Sequence, residues 1–393
     1  MSNDSIVIVA ARRSPMGAFQ GVLSPLSATQ ISSAVTAACV ADCGIDGADI
    51  DEVLLGCVLP AALGQAPARQ AALGAGIPLG AACTTVNKVC GSGMKTTMLG
   101  SDMIRAGSAA VVVTGGMESM SNAPYLMPKA RSGYRMGHQE ILDHMFFDGL
   151  QNPYDGNMMG HFAEATAQKY GFTREAQDEF AITSVERARA AMTDGRFVDE
   201  IAPVTVKSRK GEHLVSEDES PLKADIKRIP QLRPAFAKDG TVTAASSSSI
   251  SDGAASLILM SEEEAGKRGL QVLARIAGHS GFAHEPEWFT TAPVYAINAL
   301  HKKLGWDSAS VDLYEINEAF ACVTMAAMQD VGIDHAKVNV NGGACALGHP
   351  IGASGARIIV TLLHALRNRG GGKGIASLCI GGGEAVAIGI EIN

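Results

Sequence analysis

The chain has 393 residues; 47% are hydrophobic, only 5% are aromatic, and 44 are glycine. This length predicts two or three domains, and the composition predicts a core of small aliphatic side chains. The net charge of −8 argues against nucleic acid as the main partner. No apolar run approaches the ~18 residues of a membrane span, so we expect no membrane partner either.

The eight cysteines stand at positions 39, 43, 57, 83, 90, 322, 345 and 379, with no CxxC pair. This spacing argues against a zinc site or a thioredoxin-like redox pair. Residues 1–5 lack the basic segment of a signal peptide. We therefore expect free thiols, no bound metal and a reducing, cytoplasmic compartment.

Apolar strands and helices alternate in the first part of the chain. Strands are predicted at 6–10, 52–58 and 109–114, and helices at about 28–42, 65–74 and 94–104. Because the strands are continuously apolar, they indicate a parallel or mixed α/β sheet covered on both faces. Residues 122–249 are less regular, apart from an amphipathic helix at 174–193. We interpret them as a loop domain for specificity and oligomer contacts.

The alternating pattern returns after this region, in register with the first part. Residues 44–51 (GIDGADID) resemble residues 305–312 (GWDSASVD), and each copy follows an apolar helix and precedes a strand. Two copies of an αβ unit predict a duplicated domain. The N-terminal half is then 1–121 with 250–270, and the C-terminal half is 271–393. A site at their junction would draw on loops from both halves.

Cys90 stands where an apolar run ends and a helical pattern begins, with Gly91 and Gly93 beside it. The free N–H groups of a helix start stabilise a thiolate and can bind an oxyanion. We therefore expect Cys90 to be a thiolate-prone nucleophile. The alternative is a buried structural cysteine.

Three segments of the second half end predicted strands or open a helix. Asn317 follows the strand at 313–316, Cys379 ends the strand at 374–378, and His349 opens a helix that runs through residue 364. Duplicated α/β folds place their ligands at such turns. The positive helix end favours a neutral imidazole that can accept a proton. A capping histidine, a core cysteine and a turn asparagine are the structural alternatives.

Two cysteines, one histidine and one asparagine form a specific set for acyl chemistry. One thiolate can hold an acyl group as a thioester, activated by the histidine. The second cysteine can remove or return a proton at carbon. Backbone N–H groups at the glycine turns can hold the thioester oxygens as they become oxyanions.

These segments resemble the thiolase family over essentially the whole chain. The matching motifs are residues 86–93 (VNKVCGSG), 115–121 (GGMESMS), 317–320 (NEAF), 339–343 (NVNGG) with 348–352 (GHPIG), and 379–383 (CIGGG). The resemblance implies a duplicated αβαβα layered fold with an inserted loop domain. Within the family the chain is most similar to short-chain acetoacetyl-CoA thiolases, which are commonly homotetramers built as dimers of dimers.

The resemblance also implies a role for each group. Cys90 would carry the acyl intermediate, His349 would activate it, and Cys379 would transfer the proton at carbon. Asn317 would hold a water that, with His349, faces a thioester oxygen. The N–H groups of Cys90 and Gly381 would form a second oxyanion hole.

Contacts to the CoA thioester are implied by the same resemblance at Met158, Phe236, Ala244, Ser248, Phe289, Ala319 and Phe320. Lys223, Lys227 or Arg228 would bind the CoA phosphates. The chain departs from the family in a serine-rich run at 246–249 and in Phe289, where bacterial members have methionine. Phe180 replaces a tyrosine associated with potassium, so we expect no potassium and no cofactor beyond the CoA substrates.

The expected activity is condensation of two acetyl-CoA molecules to acetoacetyl-CoA and CoA, together with the reverse thiolysis. One alternative is a broad-chain 3-ketoacyl-CoA thiolase of fatty-acid degradation. A ketoacyl synthase is disfavoured because it needs a second histidine or an asparagine where this chain has Cys379. A more remote alternative is a non-catalytic acyl-CoA-binding relative.

Overall fold

The computed structural model describes residues 5–208 and 211–392; residues 1–4, on which the expected lack of a signal peptide rests, lie outside it. The strands are β1 (Ile6–Arg13), β2 (Gly17–Ala18), β3 (Glu52–Gly56), β4 (Ala82–Val86), β5 (Val111–Ser119), β6 (Tyr125–Leu126), β7 (Leu142–Asp143), β8 (Val204–Ser208), β9 (Gly211–Val215), β10 (Ser251–Ser261), β11 (Ala274–Ala283), β12 (Leu313–Ile316), β13 (Gly372–Ile380) and β14 (Glu384–Ile392). The helices are α1 (Ala28–Cys43), α2 (Pro67–Gly74), α3 (Ser92–Ala106), α4 (Met159–Tyr170), α5 (Arg174–Thr193), α6 (Glu219–Lys223), α7 (Glu262–Lys267), α8 (Ala292–Leu304), α9 (Ala321–Val331), α10 (Ala344–Leu347) and α11 (Ile351–Arg367). Within the described ranges, no helix combines the length and the apolar character that crossing a membrane requires.

The main sheet is mixed, as predicted. Its strand order is β12-β13-β14-β11-β1-β10-β5-β3-β4, and β2 pairs with β10. β3 runs parallel to β4 and β5, and β12 runs parallel to β13, whereas the remaining pairs are antiparallel. Among the residues that the structure describes, the strands of the two halves pair through β1 and β11 alone, at Val7 and Ile8.

Five layers, α-β-α-β-α, follow from how the helices cover this sheet. One core cluster packs α1 and α2 on the outer face of the first half, and another packs α8 and α9 on the outer face of the second half. The largest cluster contains side chains of α3 and α11 together with strands from both halves. α3 and α11 are therefore the central layer, which confirms the predicted duplicated αβαβα fold.

Glycine permits the two central helices to touch. A Cβ on Gly355 of α11 would lie 2.4 Å from the backbone nitrogen of Met94, and one on Gly93 of α3 would lie 2.8 Å from that of Ala356. Real Cβ atoms do not approach this closely, so no side chain fits at the crossing. The crossing holds the first turns of both helices together, and with them the residues that immediately precede each helix.

A buried ionic group fastens the inserted region to the first half. The Arg13 guanidinium donates to both carboxylate oxygens of Asp218, at 2.7 and 2.9 Å, and pairs with Glu200; all three side chains are fully buried. Burial lowers the pKa of Arg13, but the two carboxylates outweigh it and keep the guanidinium charged. Removing one partner would leave an uncompensated buried charge, so this contact fixes the inserted region in place.

Candidate active site

Cys90 lies in the tight turn between β4 and α3. Val89 has a φ of 47°, which is unusual for a β-branched residue. Ser92 stabilises the turn, because its hydroxyl donates to Val89 O (2.6 Å) and accepts from the Lys88 N–H (2.9 Å). The turn leaves Cys90 half-buried, with its sulfur on a cavity.

The end of β13 closes over Cys90 from the second half of the chain. A Cβ on Gly91 would lie 2.4 Å from Ile380 Cδ1, so glycine admits this strand end. Burial raises the pKa of Cys90 to about 11; the N–H groups of Gly381 and of Cys90 itself oppose this rise, and the charge of Glu118 adds a smaller contribution to it. The expectation of a thiolate-prone Cys90 is therefore wrong for the free enzyme. Cys90 is a thiol that needs a base.

His349 has a defined orientation in the turn before α11. The Ser354 hydroxyl donates to Pro350 O (2.9 Å) and lies 2.5 Å from His349 Nδ1. A hydroxyl has one proton, so it must accept a hydrogen bond from Nδ1–H. The other ring nitrogen, Nε2, then carries the lone pair, and it faces the Asn317 side-chain amide at 3.5 Å.

The imidazole of His349 is neutral. Burial, and to a smaller extent the nearby Arg357 cation, lower its pKa to about 3. The neutral form was predicted from the helix start, but the covering of the site is the larger cause. Nearby, the Asn317 side-chain oxygen is buried and makes no hydrogen bond within the described part of the chain.

Cys379 is fully buried at the end of β13. Burial raises its pKa well above the ordinary value, and the nearby sulfurs of Cys90 and Cys322 raise it further. The following Gly382 and Gly383 have φ values of 94° and 90°, which only glycine adopts readily. This turn brings the second thiol, also protonated, close to Cys90.

A cavity of about 210 Å³ opens onto these groups. Its walls are mostly apolar and include Val89, Cys90, Met120, Phe146, Gly149, Leu150, Met158, Met159, Gly160, Phe236, Ser247, Ser248, Ser249, Ile250, Phe289, Ala319, Phe320, His349, Ile351 and Gly381. The structure therefore brings together the predicted residues Cys90, His349, Gly381, Met158, Phe236, Ser248, Phe289, Ala319 and Phe320. Asn317 and Cys379 are buried behind this wall.

Comparison with known proteins decides the family. Residues 6–263 match the family described as "Thiolase, N-terminal domain", and residues 270–392 match "Thiolase, C-terminal domain". The chain belongs to the thiolase family. Both halves of the duplicated fold are thus thiolase domains.

Thiolases of several organisms are similar over the full length. An acetyl-CoA acetyltransferase of Pseudomonas aeruginosa is 50% identical and matches over 98% of each chain. Acetyl-CoA acetyltransferase 2 of Arabidopsis thaliana is also 50% identical, over 98% of this chain and 97% of that one. The Bacillus anthracis acetyl-CoA acetyltransferase superimposes with a TM-score of 0.96 at 43% identity, over 99% of this chain and 98% of that one. An Ascaris suum thiolase in complex with coenzyme A superimposes with a TM-score of 0.94 at 40% identity, over 99% of this chain and 100% of that one.

Four predicted contact residues of this thiolase lie outside the cavity wall. Ala244 is exposed, and so are Lys223, Lys227 and Arg228. Lys223 forms an ion pair with Glu219, one turn earlier on α6. Their contacts with CoA stay predictions.

Two residues that sequence reasoning did not single out support this thiolase site. Ser354 orients His349 from within its own helix. Glu118 is fully buried and accepts backbone hydrogen bonds from both halves of the chain. Each residue was visible in a family motif or beside one, but the local pattern did not show what it contacts.

Proposed function

We propose that this thiolase transfers acetyl groups between CoA thioesters, condensing two acetyl-CoA molecules to acetoacetyl-CoA and CoA and catalysing the reverse thiolysis. The observation that carries the proposal is the meeting of two thiols, a neutral imidazole and backbone N–H groups at one cavity. These groups supply what acyl transfer and proton transfer at carbon require, without a further cofactor. The acetyltransferase names of full-length relatives support the same reaction.

In thiolysis, His349 Nε2 takes the proton of Cys90 as the sulfur attacks the 3-keto carbon of acetoacetyl-CoA. The N–H groups of Cys90 and Gly381 stabilise the oxygen that becomes negative. When the carbon–carbon bond breaks, the electron pair stays on the departing acetyl-CoA carbon, which takes a proton from Cys379. The raised pKa of Cys379 supports this role, because the thiol stays protonated until it is needed.

CoA then completes the cycle. Its thiol gives a proton to the Cys379 thiolate, and its sulfur attacks the acetyl group on Cys90. Cys90 leaves and recovers its proton from His349. Condensation is the same sequence in reverse. Thiolysis is favoured at equilibrium, because condensation breaks a thioester to form a carbon–carbon bond.

We propose acetoacetyl-CoA as the preferred substrate of thiolysis, with Phe289 of the cavity wall closing the acyl end. Phe289 is 3% exposed, and its ring meets that of Phe162 edge-on, with 6.4 Å between the centroids. An aromatic ring held in this way cannot fold aside as methionine can. Lys223 and Arg228 are exposed cations of the inserted region that could approach the CoA phosphates.

We also propose a homotetramer in the cytoplasm. Two exposed features support self-association. β4 is an edge strand with exposed residues, and the segment around β6 and β7 exposes Tyr125, Met127, Met136 and Ile141. The eight cysteines are all free, which fits a reducing compartment.

The test is direct turnover with purified enzyme. Acetoacetyl-CoA and CoA should yield two acetyl-CoA per substrate consumed, measured by chromatography, and Cys90→Ala should not. A series of 3-ketoacyl-CoA substrates of increasing length measures the acyl preference. Faster cleavage of longer 3-ketoacyl-CoA substrates than of acetoacetyl-CoA would contradict the proposed substrate. If none of the 3-ketoacyl-CoA substrates were cleaved, the proposed reaction would be contradicted.

A further inference from the structure

Glu118 is a buried carboxylate near the end of β5, without a cationic partner among the described residues. Its oxygens accept hydrogen bonds from the N–H groups of Val58 (3.0 Å), Leu59 (3.1 Å) and Gly352 (2.9 Å). The Cys57 sulfur lies 3.7 Å from the same carboxylate. One side chain thus joins a loop of the first half to the first turn of α11 in the second half.

The contact with α11 leaves no spare room. A Cβ on Gly352 would lie 2.7 Å from the Glu118 carboxylate and 2.6 Å from Met117 O, and a Cβ on Gly116 would lie 2.0 Å from Gly352 O. The start of α11 is therefore seated directly on β5. Because His349 stands three residues before Gly352, the hydrogen bond from Gly352 to Glu118 also restrains the position of the proposed base.

Glu118 also acts on the nucleophile. Val58, Leu59 and Ile351 belong to one apolar cluster that packs against Cys90. The Glu118 charge is among the causes that raise the pKa of Cys90, after burial. The same carboxylate therefore touches the turn of His349 and bears electrostatically on Cys90.

We propose that Glu118 is a positioning residue for acyl transfer: its carboxylate holds the His349 turn against loop 57–59. A second effect, smaller than that of burial, is that its negative charge disfavours a thiolate at Cys90. The second effect has a chemical use. A standing thiolate at Cys90 would repel the thiolate that forms at Cys379 during the cycle. The proposal rests on the proposed acyl transfer and adds a residue that does not itself touch substrate.

The pKa of Glu118 lies in the neutral pH range. Burial raises its pKa to about 7, and the hydrogen bonds from the three N–H groups and from Cys57 limit the rise. The titratable groups that bear on it are the thiols of Cys57 and Cys90. Because the folded pKa exceeds the ordinary value of 4.5, this group favours folding at low pH, and that contribution is lost as the pH rises through about 7. The neutral variant Glu118→Gln avoids this cost at pH 8, although its NH2 group cannot accept the N–H bonds that one carboxylate oxygen accepts.

The experiment compares three variants by two measurements. Glu118→Gln removes the charge, Glu118→Asp keeps the charge but shortens the side chain, and Asp51→Asn is the control. Asp51 accepts backbone N–H bonds from Ala110 and Val111 at the opposite end of the same strand, at 2.7 and 3.0 Å. The measurements are kcat and KM for acetoacetyl-CoA thiolysis, and the pH profile of Cys90 alkylation by iodoacetamide, with the site located by peptide mass mapping.

Glu118→Gln should lower kcat about 10- to 100-fold while KM changes by less than about threefold. Its alkylation midpoint should move to lower pH, because the negative charge that contributes to the raised pKa of Cys90 is gone. Glu118→Asp should lower kcat with its midpoint unchanged, since the charge remains. Asp51→Asn should match the unmutated enzyme in both measurements.

An unchanged alkylation midpoint in Glu118→Gln overturns the electrostatic part, and wild-type kcat in both variants overturns the positioning part. If Glu118→Gln does not fold, Glu118→Asp alone tests the positioning part. Reduced kcat with an unchanged midpoint of Cys90 alkylation supports that part, and wild-type kcat rejects it. Alkylation requires no substrate. An unmutated enzyme without thiolysis would thus reject the proposed function separately, while the alkylation shift could still be measured.

Discussion

The two halves of the chain place the same unit, a tight turn followed by a central helix, in different surroundings. In the first half, α3 begins after Cys90, which is half-buried and faces a cavity. In the second half, α11 begins after His349, which is 5% exposed, and every residue of α11 except Arg367 is buried. One copy of the unit therefore presents an accessible sulfur, whereas the other copy presents a covered base.

Burial decides the charge of each group. It raises the pKa of Cys90 to about 11, raises that of Cys379 well above its ordinary value, and lowers that of His349 to about 3. All three groups are therefore neutral at pH 7 before substrate binds. Under the proposed function, the duplicated fold assigns the nucleophile to one copy and proton transfer to the other, through the residue that each turn carries and through how deeply that turn is covered.

The largest expected effect comes from removing the first-half sulfur. Cys90→Ser should lower thiolysis about 10³-fold or more, because a hydroxyl is a much weaker nucleophile than a thiolate. Labelled acetyl-CoA should add one acetyl group per chain to the unmutated enzyme and none to the variant, measured by mass spectrometry. Cys43→Ser, which alters another half-buried thiol, should still be labelled. Label on Cys379 or Cys345 instead would refute the assignment.

Removing the second-half thiol should separate the two half-reactions. Cys379→Ala should lose condensation about 10²- to 10³-fold, because proton transfer at carbon is lost. Exchange of label between acetyl-CoA and CoA should persist, because no bond to carbon 2 changes and His349 can carry the proton between the Cys90 sulfur and the CoA sulfur by itself. Cys322→Ala, a buried thiol of the same apolar cluster, is the matched control. Loss of exchange in Cys379→Ala would mean that the two halves do not divide the reaction in this way.

The orientation of His349 can be tested within the second half. Ser354→Ala leaves the Nδ1–H group of His349 without its acceptor, so in a fraction of the molecules the proton should move to Nε2. In that fraction Nε2 can no longer take the proton of Cys90. We expect kcat to fall about 10-fold with little change in KM. Ser377→Ala removes another buried hydroxyl, which donates to a backbone carbonyl at 3.0 Å, and should leave kcat unchanged. Equal kcat values for both variants would refute this role of Ser354.

The smallest effect concerns the acyl end of the cavity. Each methylene added to the acyl chain contributes ~0.8 kcal/mol of burial free energy when the pocket accommodates it. Forcing it into a full pocket instead costs ~1–3 kcal/mol. Acetoacetyl-CoA should therefore be cleaved at least ~10-fold more efficiently than 3-ketohexanoyl-CoA, the factor that ~1.4 kcal/mol supplies. Phe289→Ala should narrow this ratio by improving kcat/KM for the longer substrate. Phe180→Ala, at a buried ring on α5, should not. Equal rates on both substrates in the unmutated enzyme would contradict the pocket argument.

Local pattern was sufficient where an element carries its own signals. α5 and β12 have the predicted bounds, 174–193 and 313–316, and Thr173 caps α5 by accepting the N–H of Ala176 at 3.2 Å. The predicted strand 52–58 instead ends at Gly56, because Val58 and Leu59 turn their N–H groups to Glu118. A distant carboxylate, which the local pattern cannot show, determines that boundary.

The sequence alone determined the duplicated layered fold, the thiolase motifs and the residue types of the site. The duplication and the residue types follow from hydrophobic period, glycine positions and side-chain chemistry, which are local properties, whereas the layered fold follows from the resemblance of the motifs to the thiolase family. Only the tertiary structure decided the charge states, because desolvation depends on what covers a group. The Glu118 carboxylate likewise takes N–H bonds from Val58, 60 positions away in the chain, and from Gly352, 234 positions away. Contacts at such separations exist only after the two halves have packed together.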